Sequence, residues 1–268
     1  VAGTGRNASF IWQNTGERFS SVYIGYYEPF LFSLPFGLSL ELKQVIQDST
    51  YTLTYGDVSF KHVLGVNSSI VFGVAGDRSV YNFGELLKST RQRYRVGASI
   101  TGAFIFDEIE VRVDGVYRKR YFKGNKVDTD YQAIYFVSSN AKINITNAQS
   151  FFVRFRAEGI VSQGDVPLSE KVLIGGANTL RGFRENQFRC NRVFLGNFEY
   201  RFGRYGSVFV FDDLGVLYNS QDGWTLKNGT GFGLRSSSPF GDVVLSFGVG
   251  DKFSFEGTKV HVSLQQRF

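Results

Sequence analysis

The sequence predicts an all-β fold. It reads as a single transmembrane antiparallel β-barrel over residues 1–268, with about fourteen strands and one long extracellular loop folded into the lumen. Three observations predict it. Apolar and polar residues alternate with period two along nearly the whole chain, the spacing that sends successive side chains to opposite faces of a strand. The chain holds 28 Phe and 14 Tyr but only 4 Pro, and its mean hydropathy is nevertheless slightly polar. A strand with one face in lipid and the other in water gives that combination, because the apolar content is confined to one side. Finally, no run approaches the roughly 18 consecutive apolar residues that a membrane helix needs.

The alternation places strands at residues 5–14, 18–28, 34–46, 50–61, 67–76, 92–105, 109–121, 131–146, 150–161, 191–203, 206–218, 229–237, 242–250 and 258–268. Each is near the length that crosses a bilayer at a tilt, about 9–11 residues in lipid plus a little at each rim. Boundaries read this way move by a few residues, so about 12 to 16 strands fit the same pattern. Connections are short at 28–33, 62–66, 106–108, 147–149, 203–205 and 238–241. They are longer at 76–91, 122–130, 162–190, 219–228 and 251–257. Short turns on one side and long loops on the other is the asymmetry of bacterial outer-membrane barrels, whose short turns are periplasmic. An even count puts both chain ends on that side. The one helical candidate, residues 83–93, is short and ends in charges.

The last strand shows the pattern best. Val260, Val262, Leu264 and Phe268 share one face, interrupted by Gln266, while Lys259, His261, Ser263, Gln265 and Arg267 share the other. Aromatics gather near strand ends, at Tyr23, Tyr26, Tyr27, Phe30, Phe32, Phe36, Tyr117, Tyr121 and Phe122. Such rings suit the headgroup level of a membrane. The first strand, with Arg6, Asn7, Ser9 and Gln13, is the least apolar. Closing the barrel requires it to pair with the last, and a weak seam with few hydrogen bonds is expected there. Arg91, Arg93 and Arg95 alternate with Tyr94, Val96 and Ala98, so they should line the lumen as a basic patch near the outer rim. Arg118 and Arg120 share that parity, and Lys119 should point outward toward lipopolysaccharide phosphates.

The longest loop contains G-G-A-N-T-L-R-G-F at residues 175–183. Gly175 and Gly176 open the segment, and Leu180, Arg181, Gly182 and Phe183 form its tip. Gly182 permits a positive φ and a sharp reversal. The arginine is then presented on a turn, where its planar fork can engage carboxylates bidentately. The next strand reads N-F-E-Y-R-F, residues 197–202. If Phe198, Tyr200 and Phe202 face lipid, Glu199 faces the lumen. The strand after it reads V-F-V-F-D-D-L-G, residues 208–215. With Val208, Val210, Leu214 and Val216 toward lipid, Phe211, Asp213 and Gly215 lie inside. Two lumen carboxylates on adjacent strands thus follow a loop that carries an arginine, and pairing avoids an uncompensated charge.

This series of motifs resembles the C-terminal barrel of the BamA/TamA outer-membrane assembly-factor superfamily, also called bacterial surface antigens. The resemblance rests on the R-G-F loop, the F-E-Y-R-F strand, F-D-D-L-G at 211–215, G-F-G-L-R at 231–235 with the S-P-F-G turn at 238–241, and a terminal strand ending in Phe268. It runs over residues 173–268, and extends to E-P-F-L-F-S-L-P-F-G-L-S-L at 28–40. It implies that Arg181 folds into the lumen against Glu199 and Asp213, with Phe211 beside them. Two features depart from the family. About nine strands precede the motif loop, fewer than the family carries. Alternation begins within the first ten residues, so the 268 residues hold no POTRA module. The chain reads as a barrel-only fragment or as a member of a branch without POTRA domains.

Other chemistry finds little support. Cys190 is the single cysteine, which excludes an internal disulfide and a cysteine metal cluster. His62 and His261 have no acidic or thiol partners at ligand spacing, so no metal and no cofactor are expected. Asp107, Glu108 and Glu110 read as a solvated turn. No serine sits in a G-x-S-x-G elbow, so no enzyme activity is expected. The net charge of +6 is scattered over strands without a nucleic-acid recognition motif. The resemblance implies protein insertion or translocation through a lateral seam between first and last strands. Partners would then be outer-membrane lipid and lipopolysaccharide, with client outer-membrane proteins or other subunits of a membrane complex. Two alternatives remain open: a structural or accessory outer-membrane subunit, and the membrane anchor of an upstream enzyme domain such as a patatin-like lipase.

Overall fold

The computed structural model describes residues 5–14, 19–31, 34–47, 50–103, 105–203, 206–238, 241–251 and 257–265. Within them the chain forms β1 (Asn7–Asn14), β2 (Phe19–Glu28), β3 (Phe36–Gln47), β4 (Tyr51–Val63), β5 (Ser68–Tyr81), β6 (Leu86–Ala103), β7 (Phe106–Phe122), β8 (Val127–Thr146) and β9 (Gln149–Ser162). Two short strands follow, β10 (Val172–Ile174) and β11 (Phe188–Cys190). Then come β12 (Arg192–Phe202), β13 (Gly206–Asn219), β14 (Gly223–Ser238), β15 (Gly241–Gly250) and β16 (Lys259–Gln265). Fourteen strands make one sheet in chain order, β1 to β9 and then β12 to β16, while β10 and β11 pair only with each other. Nine strands thus precede the long loop and five follow it. The pairings are antiparallel, as in Asn197↔Arg154 and Asn197↔Asp213.

The chain divides into two compact units. The first comprises Val1–Ser99, Val111–Tyr135 and Ile160–Glu170; the second comprises Ile100–Glu110, Phe136–Gly159 and Lys171–Phe268. Both invert the soluble pattern. In the first unit β5 buries Ser69, Asp77 and Ser79, while Ile70, Phe72, Val74 and Val80 are exposed. In the second, β13 buries Phe209, Phe211 and Asp213, while Val208, Val210, Leu214 and Val216 are exposed. A run of exposed β-branched residues is a liability in water and an asset in hydrocarbon.

Some expectations need correction. Residues 83–93 are not helical, because β6 starts at Leu86. The expected loop over 76–91 shrinks to residues 82–85, and those over 122–130 and 219–228 to 123–126 and 220–222. The cause is the same in the first two. Polar and charged residues such as Asp77, Ser89, Arg91 and Asp130 read as loop in a sequence, yet here they are the buried positions of strands. Of the expected terminal face, Val260 and Val262 are exposed. The Leu264 side chain and all of Phe268 lie outside the described residues.

Candidate functional site

The loop between β9 and β12 owes its shape to a hairpin. Pairing of Val172–Ile174 with Phe188–Cys190 brings the two arms together. Between them, Gly175 and Gly176 adopt φ of 120° and 98°. The Gly175 N–H donates to Thr179 Oγ1 (2.9 Å), the Gly176 N–H to the Leu180 carbonyl (3.0 Å) and the Ala177 N–H to Glu185 Oε1 (2.7 Å). An apolar cluster anchors this tip to the sheet: Ile174, Leu180, Phe183 and Cys190 from the loop, Val193 and Leu195 from β12, and Leu217 from β13. Phe183 and Phe188 add an edge-to-face contact at 5.0 Å. Burial pushes the Cys190 thiol up to about 12.

At the tip Arg181 is buried and makes a bidentate pair with Asp213. Its Nε donates to Oδ2 at 2.8 Å, its Nη2 to Oδ1 at 2.7 Å. The Arg181 main-chain N–H donates to the same Oδ2 at 2.9 Å. Nη1 donates to Glu199 Oε1 at 2.5 Å. The guanidinium carbon sits 3.8 Å from the centre of the Phe211 ring, so the ring face caps the cation. Arg201 takes the other Glu199 oxygen, with Nε at 2.7 Å. Asn197 Nδ2 donates to the Thr179 carbonyl at 2.8 Å. Burial alone would lower the Arg181 guanidinium, but Asp213 and Glu199 hold it above its ordinary range. The geometry therefore places Arg181, Glu199, Phe211 and Asp213 in one cluster.

The loop backbone approaches the sheet closely because the facing positions are glycines. Gly182 itself has φ of 89°, and a Cβ there would meet the Val249 carbonyl carbon at 2.6 Å. On the sheet side, a Cβ on Gly248 would lie 2.6 Å from the Gly182 nitrogen, and one on Gly229 would collide with the Arg181 carbonyl oxygen. Gly250 faces the Phe183 ring in the same way. In the sequence the run at 229–233 shows only as a glycine-rich part of an expected strand. The alternate glycines 229, 231 and 233, paired with Gly250, Gly248 and Ser246, were the available signal for a docking track.

In the first unit the expected basic patch is a paired network. Arg91 and Arg93 contact Asp77 at 2.7 and 2.5 Å. Arg95 bridges Asp57 (2.5 Å) and Asp114 (3.0 Å). Arg118 pairs with Asp130 and Glu170, and Arg120 with Asp128. Tyr94 and Val96 are exposed, so the arginine parity is as read, but the carboxylates neutralise the patch. Sequence reasoning missed Glu170, which lies at the start of the long loop. It accepts from Ser89 Oγ (2.6 Å), Arg118 Nη1 (3.0 Å) and Gln132 Nε2 (3.3 Å). Beside it Ser169 bonds Tyr81 and Ser79. Only tertiary contacts across 38 or more residues of chain mark Glu170, and no local motif does. Of the two histidines, His62 donates from Nδ1 to the Pro35 carbonyl at 3.0 Å, and His261 is buried on β16.

Comparison with known proteins decides what this arrangement belongs to. The Omp85 superfamily domain matches residues 108–268. The chain belongs to the Omp85 superfamily. No curated protein sequence matches it. Among solved structures it is similar to BamA from Haemophilus ducreyi lacking POTRA domains 1–3, with a TM-score of 0.65 and 15% identity over 98% of this chain and 63% of that one. It is also similar to CdiB from Acinetobacter baumannii, with a TM-score of 0.57 and 11% identity over 96% of this chain and 57% of that one. The chain spans less than two thirds of the length of either. As an Omp85 protein it is a transmembrane β-barrel of the outer membrane of Gram-negative bacteria. The inverted faces then have their cause: the exposed Val, Leu and Phe side chains meet hydrocarbon, and the polar faces meet the lumen.

Three outcomes test this site. Removing Arg181 leaves Asp213 and Glu199 buried without their shared cation, a loss of about 3–5 kcal/mol. Arg181→Ala should therefore lose its folded, heat-modifiable gel band at a lower temperature than Arg184→Ala, whose parent side chain is exposed. Cys190 reports docking directly. Near neutral pH its buried, protonated thiol should resist maleimide in the wild type, and Gly248→Val, which displaces Gly182, should make it react. In the first unit, Glu170→Ala should lower the melting temperature markedly. Asp165→Ala should not, because Asp165 offers Arg118 only its main-chain carbonyl.

Proposed function

We propose that this barrel inserts or translocates other proteins, acting through a lateral seam between β1 and β16. Its partners are then client outer-membrane proteins, or other subunits of a membrane complex, within lipid and lipopolysaccharide; it needs no catalytic residues. Membership in the Omp85 superfamily supports the coarse reading. The observation that carries the finer one is an asymmetry of anchoring. The loop tip is locked by Arg181 to β12 and β13, and its backbone presses on Gly248 of β15, the neighbour of β16. The strands on that side of the seam are thus stiffened.

β1 is different. It is the first strand of the sheet order, among the described residues it pairs with β2, and Phe10, Ile11 and Trp12 are exposed in succession on both faces. A terminal strand of this kind can present its N–H and C=O groups to an incoming strand when the seam opens, the chemistry of strand addition. Barrel closure still demands that the two terminal strands meet in lipid. A seam that closes weakly and reopens for a client satisfies both demands.

The test is a reversible lock. Paired cysteines on β1 and β16, in a Cys190→Ser background, should permit insertion of a client barrel into liposomes when reduced and abolish it when oxidised. Oxidised protein that inserts clients at the reduced rate would remove the seam from the mechanism. If the reduced protein is well folded and also inert, the barrel serves as a structural subunit or an anchor instead.

A further inference from the structure

A cavity of about 250 Å³ lies in the second unit beside the docked loop tip. Its walls include Arg154 of β9, Glu199 and Arg201 of β12, Asn178 of the loop, and Ser246 and His261 of β15 and β16. We propose that this cavity binds a small oxyanion, a phosphate or a carboxylate, with Arg154 as its main cation and His261 as a second donor.

Three guanidiniums, Arg154, Arg181 and Arg201, surround Glu199 and Asp213. Arg181 occupies Asp213 through two nitrogens and takes one Glu199 oxygen, and Arg201 takes the other. Nothing is left for Arg154. Among the described residues it makes no ion pair, and its near neighbour is the Phe152 ring at 5.6 Å. Its side chain is exposed to the lumen, on the inward parity set by its pairing with Asn197. A guanidinium that lines a cavity without an ion pair of its own attracts anions, and its planar fork suits two oxygens of one group.

His261 is 9% exposed, and its Nε2 has no hydrogen-bond partner among the described residues. A buried polar atom without a partner costs about 1–3 kcal/mol, so such atoms are rare unless a ligand or water serves them. This one belongs to a wall of the cavity, opposite Ser246 in the β15–β16 ladder. With the proton on Nε2 the ring donates into the cavity, and the Ser246 hydroxyl can donate alongside.

Size completes the case. A water takes about 30 Å³ of liquid, so the cavity has room for a phosphate or a short dicarboxylate with part of its hydration. Because Asn178 and Arg181 share the wall, an anion here would also bear on the loop tip. The inference does not depend on the seam or on any client.

The experiment uses the intact barrel in detergent and isothermal titration with inorganic phosphate, then with succinate, at constant ionic strength in sodium chloride. Saturable one-site binding of at least one of them is expected. Arg154→Gln should weaken it tenfold or more, and His261→Gln severalfold. Arg156→Gln is the control, because that guanidinium is already paired with Glu158 at 2.7 Å. Heat-modifiable migration checks that each variant is folded; Arg154 carries no ion pair, so its removal orphans no acid. Phosphate binding alone identifies a tetrahedral oxyanion, succinate binding alone a planar carboxylate, and either upholds the site. The absence of saturable binding by both, or equal affinity in folded Arg154→Gln, overturns it.

Discussion

The second unit depends on one buried ion cluster. Arg181 holds Asp213 through two guanidinium nitrogens and its own main-chain N–H, and it holds Glu199 through a third nitrogen. Taking these three charges out of water is costly, and their attraction offsets that cost only when the geometry is good and the remaining donors are served. Here it is good, and the Phe211 ring covers the cation's face. Any other placement of the loop tip leaves two acids buried together. That constraint picks out one docked position for the tip from the many that a loop of this length could sample.

The same logic governs the sheet faces. In hydrocarbon every backbone group must be satisfied within the ladder, and side chains that meet lipid must be apolar. The inward faces are left to the polar residues. The first unit shows the consequence, because arginines and carboxylates on neighbouring strands compensate each other across the ladder. Arg95 of β6 shows it best, pairing with Asp114 of the neighbouring β7 and reaching past β5 to Asp57 of β4. Glu170 extends this principle to the loop, since its carboxylate meets Arg118 while Ser89 and Gln132 satisfy it further. Each unit thus receives one segment of the long connection through charge.

Close backbone approach is the other enabling feature. The glycines at 229, 248 and 250 remove the side chains that would hold the Arg181–Gly182 backbone away from the sheet. Without that clearance the Arg181 main-chain N–H could not reach Asp213. A positive φ at Gly182 turns the chain so that Arg181 and Phe183 both point into the packed interface.

The sequence by itself indicated about fourteen sheet strands, the parity of β12 and β13 and the residues of the loop motif. These are local properties: alternation is written residue by residue, and a glycine or an arginine on a turn announces itself by spacing. It also put Arg91, Arg95 and Arg118 on the inward face, yet read them as a basic patch. Only the tertiary structure decided that Asp57, Asp77, Asp114, Asp130 and Glu170 neutralise them, because ion pairing across a ladder depends on register, which no single strand encodes. The same limit applied where strands carry charges. Residues 76–91 resembled a loop because Asp77 and Arg91 are polar, and became strand because each found the other. The docking track is the last example. Glycine spacing was visible, but its purpose appeared only when Arg181 and Gly182 lay against it, since a clearance has meaning only once the object that needs it is in place.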